Sequence, residues 1–241
     1  MIASALDVTT SKHARPGRPF QPVQEAELHR DLPALVRSLP GAVRHGALLI
    51  AEAPGPFGVP DLLVLVGGQR QIDQRLASGL APILSEMDAG LVAQLSAHRP
   101  ASVSDLALVL GWTEDAVRRR ARRLAGLEVV ADRPSGLVRH PMVGFGGSIH
   151  AIEAKVNDWN RGIDQSLLYA TWCDSVTLSV GRLPRDFTPA VVRAARLRLG
   201  LVGSGRWLCR PGRRSHPRSV KQWAHEHVVA ALWDHQPSPA I

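Results

Sequence analysis

The sequence predicts an α/β domain in which a mixed β-sheet is flanked by helices, with a helical insert in the middle of the chain. Short aliphatic runs bounded by Gly and Pro recur at residues 47–66, 148–156, 175–183 and 200–211, and helical patterns alternate with them. Residues 69–142 instead contain three helical patterns and one hairpin signal, which predicts an insert. The 241 residues, of which 45% are apolar, are enough to bury a core.

The first 22 residues are rich in Gly, Pro, Ser and Thr and predict a flexible leader. They contain no apolar run long enough for a signal peptide or a membrane span. Cys173 and Cys209 have neither the spacing of a metal site nor the density of a disulfide scaffold, so we expect reduced thiols. We therefore expect a cytoplasmic protein with no membrane partner.

The predicted core begins with an amphipathic helix at residues 23–39. Leu28, Leu32 and Leu35 recur at helical spacing on one face, and Pro33 predicts a kink because it lacks a backbone N–H. Two aliphatic runs, "GALLIAEAP" and "GVPDLLVLV", follow at residues 47–66. Their Gly and Pro boundaries predict a hairpin of buried strands.

The core resumes after the insert with the strand "SIHAIEAKV" at residues 148–156, a helix "NRGIDQSLLYATW" and a strand "SVTLSVGRL". Thr188 is the predicted N-cap of the next helix, which Gly200 follows. A hairpin and a C-terminal helix at residues 219–235 complete the pattern. We thus expect a leader (residues 1–22), a core (residues 23–68 and 143–241) and an insert (residues 69–142).

The net charge of +8 and the pI near 10.8 favour a polyanionic partner, for which nucleic acid is the obvious candidate. The alternative is a basic proteome, which would raise the pI of every protein irrespective of its partners. Among the 29 basic residues only Lys12, Lys155 and Lys221 are lysine. Because arginine supplies nearly every other positive charge, Lys155 indicates a need for a compact ammonium group.

Three ionisable residues border or interrupt predicted buried strands. Asp61 precedes the apolar run "LLVLV", and Glu153 and Lys155 lie within "IHAIEAKV". Side chains alternate along a strand, so Glu153 and Lys155 share one face. Two carboxylates are the hard ligands that Mg²⁺ or Mn²⁺ prefers, and an adjacent ammonium can act on water or on a phosphate. Buried charges are costly unless they are paired or functional, so these residues form the candidate chemical centre.

This pattern resembles the PD-(D/E)XK nuclease superfamily, whose motif pairs such an aspartate with an acid-x-lysine triplet. The resemblance implies a restriction endonuclease-like core, catalysis by Asp61, Glu153 and Lys155, and a Mg²⁺ or Mn²⁺ ion bound by the two acids. The alternative is a charged edge strand in which Glu153 and Lys155 pair only with solvent or with each other. The long separation of Asp61 from Glu153 departs from the family pattern, and the insert accounts for it.

Two helices add to the resemblance. Glu25 lies on the same face of the first helix as Leu28, so the resemblance implies that Glu25 is a third metal ligand, with Glu27 the weaker candidate. Gln165 and Tyr169 resemble the Q-x-x-x-Y pattern of the exonuclease-like branch. The resemblance then implies that Gln165 helps to orient the site.

The insert contains three predicted helices, with Ser102 and Thr113 as N-caps of the second and third, and a hairpin around "RPSG". This order resembles a winged helix-turn-helix domain. The third helix carries five arginines, of which we expect four to bind DNA: Arg118, Arg119, Arg122 and Arg123. A nearly all-positive face repels itself without a polyanion, although a solvated charged helix is the alternative.

The expected function is a divalent-metal-dependent DNA nuclease whose winged helix grips or selects duplex DNA. The alternative is a DNA-binding transcriptional regulator that keeps the nuclease fold as a non-cutting scaffold. An RNA nuclease stays open because the metal chemistry is shared, and a homodimer is expected from the general need to address two strands. His225 and His227 point in different directions on a helix, so we expect no metal site there.

Overall fold

The computed structural model describes residues 8–10, 32 and 34–233, which fall into two compact units. Unit 1 contains the described residues up to Gln69 together with Gly147–His216. Unit 2 contains Arg70–Gly146 and the described residues from Pro217 onward. No helix within the described residues combines the length and the apolarity needed to cross a lipid bilayer.

The strands are, in chain order, β1 (Val8–Thr10), β2 (Ala47–Ala51), β3 (Leu62–Val66), β4 (Val130–Arg133), β5 (Gly136–Arg139), β6 (Ser148–Lys155), β7 (Ser175–Val180), β8 (Gly200–Gly203) and β9 (Arg206–Cys209). The helices are α1 (Ala42–His45), α2 (Gln69–Ala77), α3 (Glu86–Gln94), α4 (Val103–Leu110), α5 (Glu114–Gly126), α6 (Trp159–Tyr169), α7 (Thr188–Arg196) and α8 (Arg218–Trp233). Residues 34–37 are also helical.

Unit 1 is built on a seven-stranded sheet in the order β1-β2-β3-β6-β7-β8-β9. β3 is antiparallel to both β2 and β6, whereas β6, β7 and β8 run parallel and β9 returns antiparallel. The predicted α/β class with a mixed sheet is therefore confirmed. β1 lies inside the segment predicted as a leader and pairs parallel with β2, an element that the sequence pattern did not predict.

The two faces of this sheet carry different residues. The front face carries Glu153 and Lys155, and α6 packs closely against it. A Cβ added at Gly162 of this helix would lie only 2.5 Å from Leu178 and 3.0 Å from Lys155. The back face carries Ile152 and packs against Leu32, Leu35, Val36 and Leu39 in one buried cluster. Alternation along β6 thus places the ionisable pair and the first helical segment on opposite faces.

Unit 2 combines α2, α3, α4, α5 and α8 with the hairpin β4–β5 around a separate apolar core. The Ser102 side chain accepts a hydrogen bond from the Asp105 amide, and the Thr113 side chain accepts one from the Ala116 amide, so both predicted N-caps are confirmed. Between α4 and α5, Gly111 has a φ of 65°, the left-handed conformation that lets glycine end a helix and start a tight turn.

α8 belongs to unit 2, although the sequence pattern had grouped residues 143–241 with the core. α8 packs against α3 of this unit, and a buried polar anchor at Glu226 adds to that packing. Its carboxylate accepts hydrogen bonds from the Ile83 amide at 2.8 Å and from Gln222 at 2.7 Å, and it pairs with Arg75 at 3.3 Å. Both charged side chains are nearly inaccessible to solvent, so each needs the other's charge.

Candidate functional site

The antiparallel register of β3 and β6 brings Asp61 next to Glu153. Leu62 pairs with Ile152, so the next positions outward along the two strands are Asp61 and Glu153. Asp61 Oδ2 accepts a hydrogen bond of 2.6 Å from the backbone amide of Ala154. This bond holds the Asp61 carboxylate against the β6 backbone, immediately beside Glu153.

Lys155 joins the two acids on the front face. Its Nζ donates to Glu153 Oε1 at 2.5 Å and to the Ala154 carbonyl at 3.1 Å. The side chain of Glu153 is 3% exposed and that of Lys155 is 16% exposed, so this ion pair is largely shielded from water. The three residues predicted as the chemical centre are therefore neighbours in the structure.

Tyr169, at the end of α6, supports the same carboxylate. Its hydroxyl lies 3.0 Å from Glu153 Oε2 and 3.0 Å from the Val59 carbonyl, and it can donate to either oxygen. Burial and then the negative charge of Glu153 raise the pKa of Tyr169, so the hydroxyl keeps its proton and remains a donor. Each oxygen of Glu153 thus has a donor within hydrogen-bond distance, Lys155 for Oε1 and Tyr169 for Oε2.

The surroundings of Glu153 disfavour its negative charge. Burial is the largest cause and the charge of Asp61 is the second, and together they raise the pKa of Glu153 to about 7 against the opposing effect of Lys155. A proton on Glu153, or a further positive charge nearby, would offset this unfavourable environment.

The donor set among the described residues is therefore two carboxylates. Within that part of the chain, no group of three or more His, Cys, Asp or Glu side chains lies close enough together to hold a metal ion. Glu25, the predicted third ligand, lies outside the described residues. Asp61 and Glu153 supply hard oxygen atoms, and Mg²⁺ is commonly bound by one or two carboxylates with water as the remaining ligands.

Gln165 is not connected to the three ionisable residues. It lies on α6 one turn before Tyr169 and is half-buried. Its side-chain oxygen is buried without a hydrogen-bond partner among the described residues. An unpartnered buried acceptor suits a role in holding a water or a ligand group, but no hydrogen bond links Gln165 to Glu153 within the described residues.

A loop at residues 55–59, which sequence reasoning missed as part of the site, is fixed by two aromatic side chains of unit 1. Trp172 Nε1 donates to the Phe57 carbonyl at 3.1 Å, and Tyr169 contacts the Val59 carbonyl. Gly58 has a φ of 79°, and a Cβ there would lie 2.8 Å from the Tyr169 ring. The run "PGPFGVP" was the available signal, because such a Gly/Pro run is typical of a tight turn.

In unit 2, the arginines of α5 divide into paired and free groups. Arg118 pairs within the helix with Glu114 at 2.5 Å, and Arg123 pairs with the fully buried Asp88 at 3.2 Å. Arg119 and Arg122 are exposed and form no ion pair with any described residue.

The expectation that the α5 face is nearly all positive was therefore too strong. Arg120 also pairs with Asp88, at 2.7 Å, and lies over the Trp112 ring. Asp88 belongs to a different helix, so sequence spacing along α5 gave no sign of it. The two free guanidinium groups, Arg119 and Arg122, remain available for phosphates.

Comparisons with family models, with curated proteins and with solved structures give no match to this chain. The function of the chain is accordingly inferred from its own residues. Two features bear on it: the adjacent side chains of Asp61, Glu153 and Lys155 in unit 1, and the exposed Arg119 and Arg122 in unit 2.

Proposed function

We propose that the chain is a divalent-metal-dependent deoxyribonuclease that hydrolyses phosphodiester bonds in duplex DNA. One observation carries the proposal: the carboxylates of Asp61 and Glu153 and the ammonium of Lys155 lie side by side on the front face of the sheet. Asp61 is nevertheless distant in sequence from the other two. The pKa of Glu153 is raised by burial and by Asp61, and such perturbed carboxylates are typical of functional sites, which supports the proposal. On this proposal unit 1 is a restriction endonuclease-like core.

Asp61 and Glu153 would hold the metal ion. A bound Mg²⁺ or Mn²⁺ would polarise the phosphodiester and lower the pKa of a coordinated water. The backbone bond to Ala154 orients Asp61, and Tyr169 orients the second oxygen of Glu153. These bonds prearrange both ligands, so little reorganisation is needed when the cation binds.

Lys155 would stabilise charge on the reacting phosphate or position the water. Its ammonium pairs with Glu153 at 2.5 Å and is largely shielded from water. If Glu153 held a metal ion, the ammonium could interact with a phosphate oxygen from this poorly solvated position. Electrostatic interactions are strong in such an environment, which suits transition-state stabilisation.

Unit 2 would grip or select the DNA as a winged helix-turn-helix domain. Three features support this: a three-residue turn between α4 and α5, the hairpin β4–β5, and a backbone bridge between Ala101 and Leu137 that extends the hairpin. In this arrangement α5 is the helix that enters the major groove. Arg119 and Arg122 are then the first candidates for contacts with DNA.

The decisive experiment is a cleavage assay on supercoiled plasmid, linear duplex, single-stranded DNA and RNA with Mg²⁺, with Mn²⁺ or with EDTA. We expect metal-dependent cutting of DNA that Asp61→Asn and Lys155→Ala abolish. Asp164→Asn is the matched control, since Asp164 is an exposed carboxylate of unit 1 in a surface ion pair. Cleavage that survives both substitutions would refute the assignment of the site.

The alternative proposal is a transcriptional regulator in which unit 1 does not cut. The close Lys155–Glu153 pair favours it, because the two charges partly offset each other without a metal. The same protein preparation distinguishes the two proposals. Mobility shift of duplex DNA without cutting in any metal would favour the regulator, and sedimentation with and without DNA would show whether either form is a homodimer.

A further inference from the structure

A pocket of about 590 Å³ lies in unit 1 at the carboxyl ends of β6, β7 and β8. Sites for small molecules typically have volumes of about 300–1,000 Å³. In open α/β sheets, ligands bind beyond the carboxyl ends of the strands. The size and the position of the pocket therefore both suit a small-molecule ligand.

The pocket lies on the back face of the sheet and is separate from the carboxylate pair. Its floor includes Ser179 and Val202, which pair with each other across β7 and β8. Ser179 also pairs with Ala154, the residue between Glu153 and Lys155. Because side chains alternate along β6, the floor of the pocket and the two ionisable side chains point to opposite faces.

The walls of the pocket are apolar and partly aromatic. Leu32, Leu35 and Trp207 all line it, and Trp207 packs against the apolar cluster that contains the two leucines. The indole is held in place, since its Nε1 donates to Ser38 Oγ at 2.8 Å and the Arg210 guanidinium lies 4.6 Å from the ring centroid. A fixed aromatic wall beside aliphatic side chains favours a flat, apolar ligand group.

A small number of polar groups face this apolar space. Ser179 is 7% exposed, and neither its hydroxyl nor that of Ser204 has a hydrogen-bond partner among the described residues. Arg182, at the rim, is exposed and forms no ion pair within that part of the chain. A free guanidinium at the mouth of a pocket suits a carboxylate or a phosphate, which it can bind through two parallel hydrogen bonds.

We propose that this pocket binds a small molecule that combines a planar aromatic ring with an anionic group. The ring would pack against Trp207 and the leucine side chains, the anion would pair with Arg182, and Ser179 would donate a hydrogen bond to the buried end. This chemistry occurs in a nucleoside monophosphate and in an aromatic carboxylate. A nucleotide would be a product-like ligand, whereas an aromatic carboxylate would be an effector.

The test is isothermal titration calorimetry on the full chain in EDTA, with deoxyadenosine monophosphate and 4-hydroxybenzoate as separate probes. We expect one probe to bind with one-to-one stoichiometry. Arg182→Ala should weaken it by about tenfold, because a charge-assisted hydrogen bond is lost. Ser204→Trp should block the mouth, and Arg185→Ala, an exposed arginine outside the pocket, should leave affinity unchanged.

The outcomes separate the two ligand sources and can refute the proposal. Binding of the nucleotide alone identifies a nucleotide site, and binding of the carboxylate alone identifies an effector site. If neither probe binds, or if binding survives both Arg182→Ala and Ser204→Trp in folded protein, the proposal is overturned. The measurement involves no cleavage and no metal, so its failure is independent of the nuclease assay.

Discussion

Replacing Glu153 by glutamine tests the electrostatics of the candidate site directly. The amide has the shape of a protonated carboxyl and carries no charge. The pKa of Glu153 is raised in the folded protein from its ordinary value of 4.5 to about 7, chiefly by burial and by Asp61. The folded state therefore binds this proton more tightly than the unfolded state, and stability falls as pH rises from about 4.5 through about 7.

The size of the effect follows from the same shift. Each pKa unit corresponds to about 1.4 kcal/mol, so ionising Glu153 costs the folded state about 3 kcal/mol once pH exceeds the raised pKa. Glu153→Gln avoids this cost. We expect the variant to be more stable than the wild type by about 3 kcal/mol at pH 8 and by little at pH 4.5, which corresponds to about 6–12 °C in Tm at the higher pH.

The assay is thermal and urea denaturation of both proteins across this pH range in EDTA, followed by a signal from unit 1. The same series is then repeated in excess Mg²⁺. A cation bound by the ionised carboxylates stabilises only the folded state, so it should raise the wild-type Tm at pH 8 and leave Glu153→Gln nearly unchanged. Asp164→Asn, which leaves the front face intact, is the control for general effects of charge removal.

Two results would refute this reasoning. If the difference between wild type and Glu153→Gln stays constant from pH 4.5 to pH 8, Glu153 does not titrate with a raised pKa. If Mg²⁺ stabilises both proteins equally at pH 8, the ion does not bind through Glu153. The second result would remove the physical support for the metal site while leaving the first conclusion in place.

Three further predictions concern other parts of the chain. Replacing Arg119 and Arg122 together by alanine should weaken duplex binding and lower the slope of log affinity against log salt by about 2, and an unchanged slope in fluorescence anisotropy would exclude both from phosphate contacts. Gly58→Ala should destabilise unit 1 more than Gly79→Ala destabilises unit 2, because both have positive φ but only the first Cβ would clash with a ring; equal losses in urea denaturation would contradict this. Glu226→Ala should destabilise unit 2 by about 3–5 kcal/mol through an unpaired buried guanidinium, and a loss below about 1 kcal/mol would show that the anchor is dispensable.

The sequence predicted those features that depend on local pattern. Aliphatic runs between Gly and Pro predicted the strands β2, β3, β6 and β7, and alternation along β6 predicted the shared face of Glu153 and Lys155. The caps at Ser102 and Thr113 follow the same principle, since a cap is a bond between residues three apart. These features need no knowledge of the rest of the chain.

Features that depend on distant partners were not predicted. Asp88 of α3 pairs with Arg120 and Arg123 of α5. Glu226 of α8 pairs with Arg75 of unit 2, which is distant in sequence. The predicted cap at Thr188 was wrong by one position: α7 begins at Thr188 itself, and Phe187 in the N-cap position provides no side-chain hydrogen bond. The Thr188 amide instead donates to the carboxylate of Asp186 at 3.0 Å, a turn that precedes the helix.

The separation of Asp61 from Glu153 in the sequence is compatible with a single site because of where the chain leaves the sheet of unit 1. β3 ends at Val66, which pairs with Ser148 at the start of β6, and a Cβ at Gly147 would lie 2.5 Å from the Gly67 carbonyl. The chain therefore leaves and re-enters the sheet at one end of the β3–β6 pair. Asp61 and Glu153 lie at the other end, and the five residues of strand between Val66 and Asp61 span about 17 Å. Register along the pair sets the distance between the carboxylates, so an insertion of any length at the far end leaves that distance unchanged. A one-residue slip in β6 would instead move Glu153 to the back face, away from Asp61.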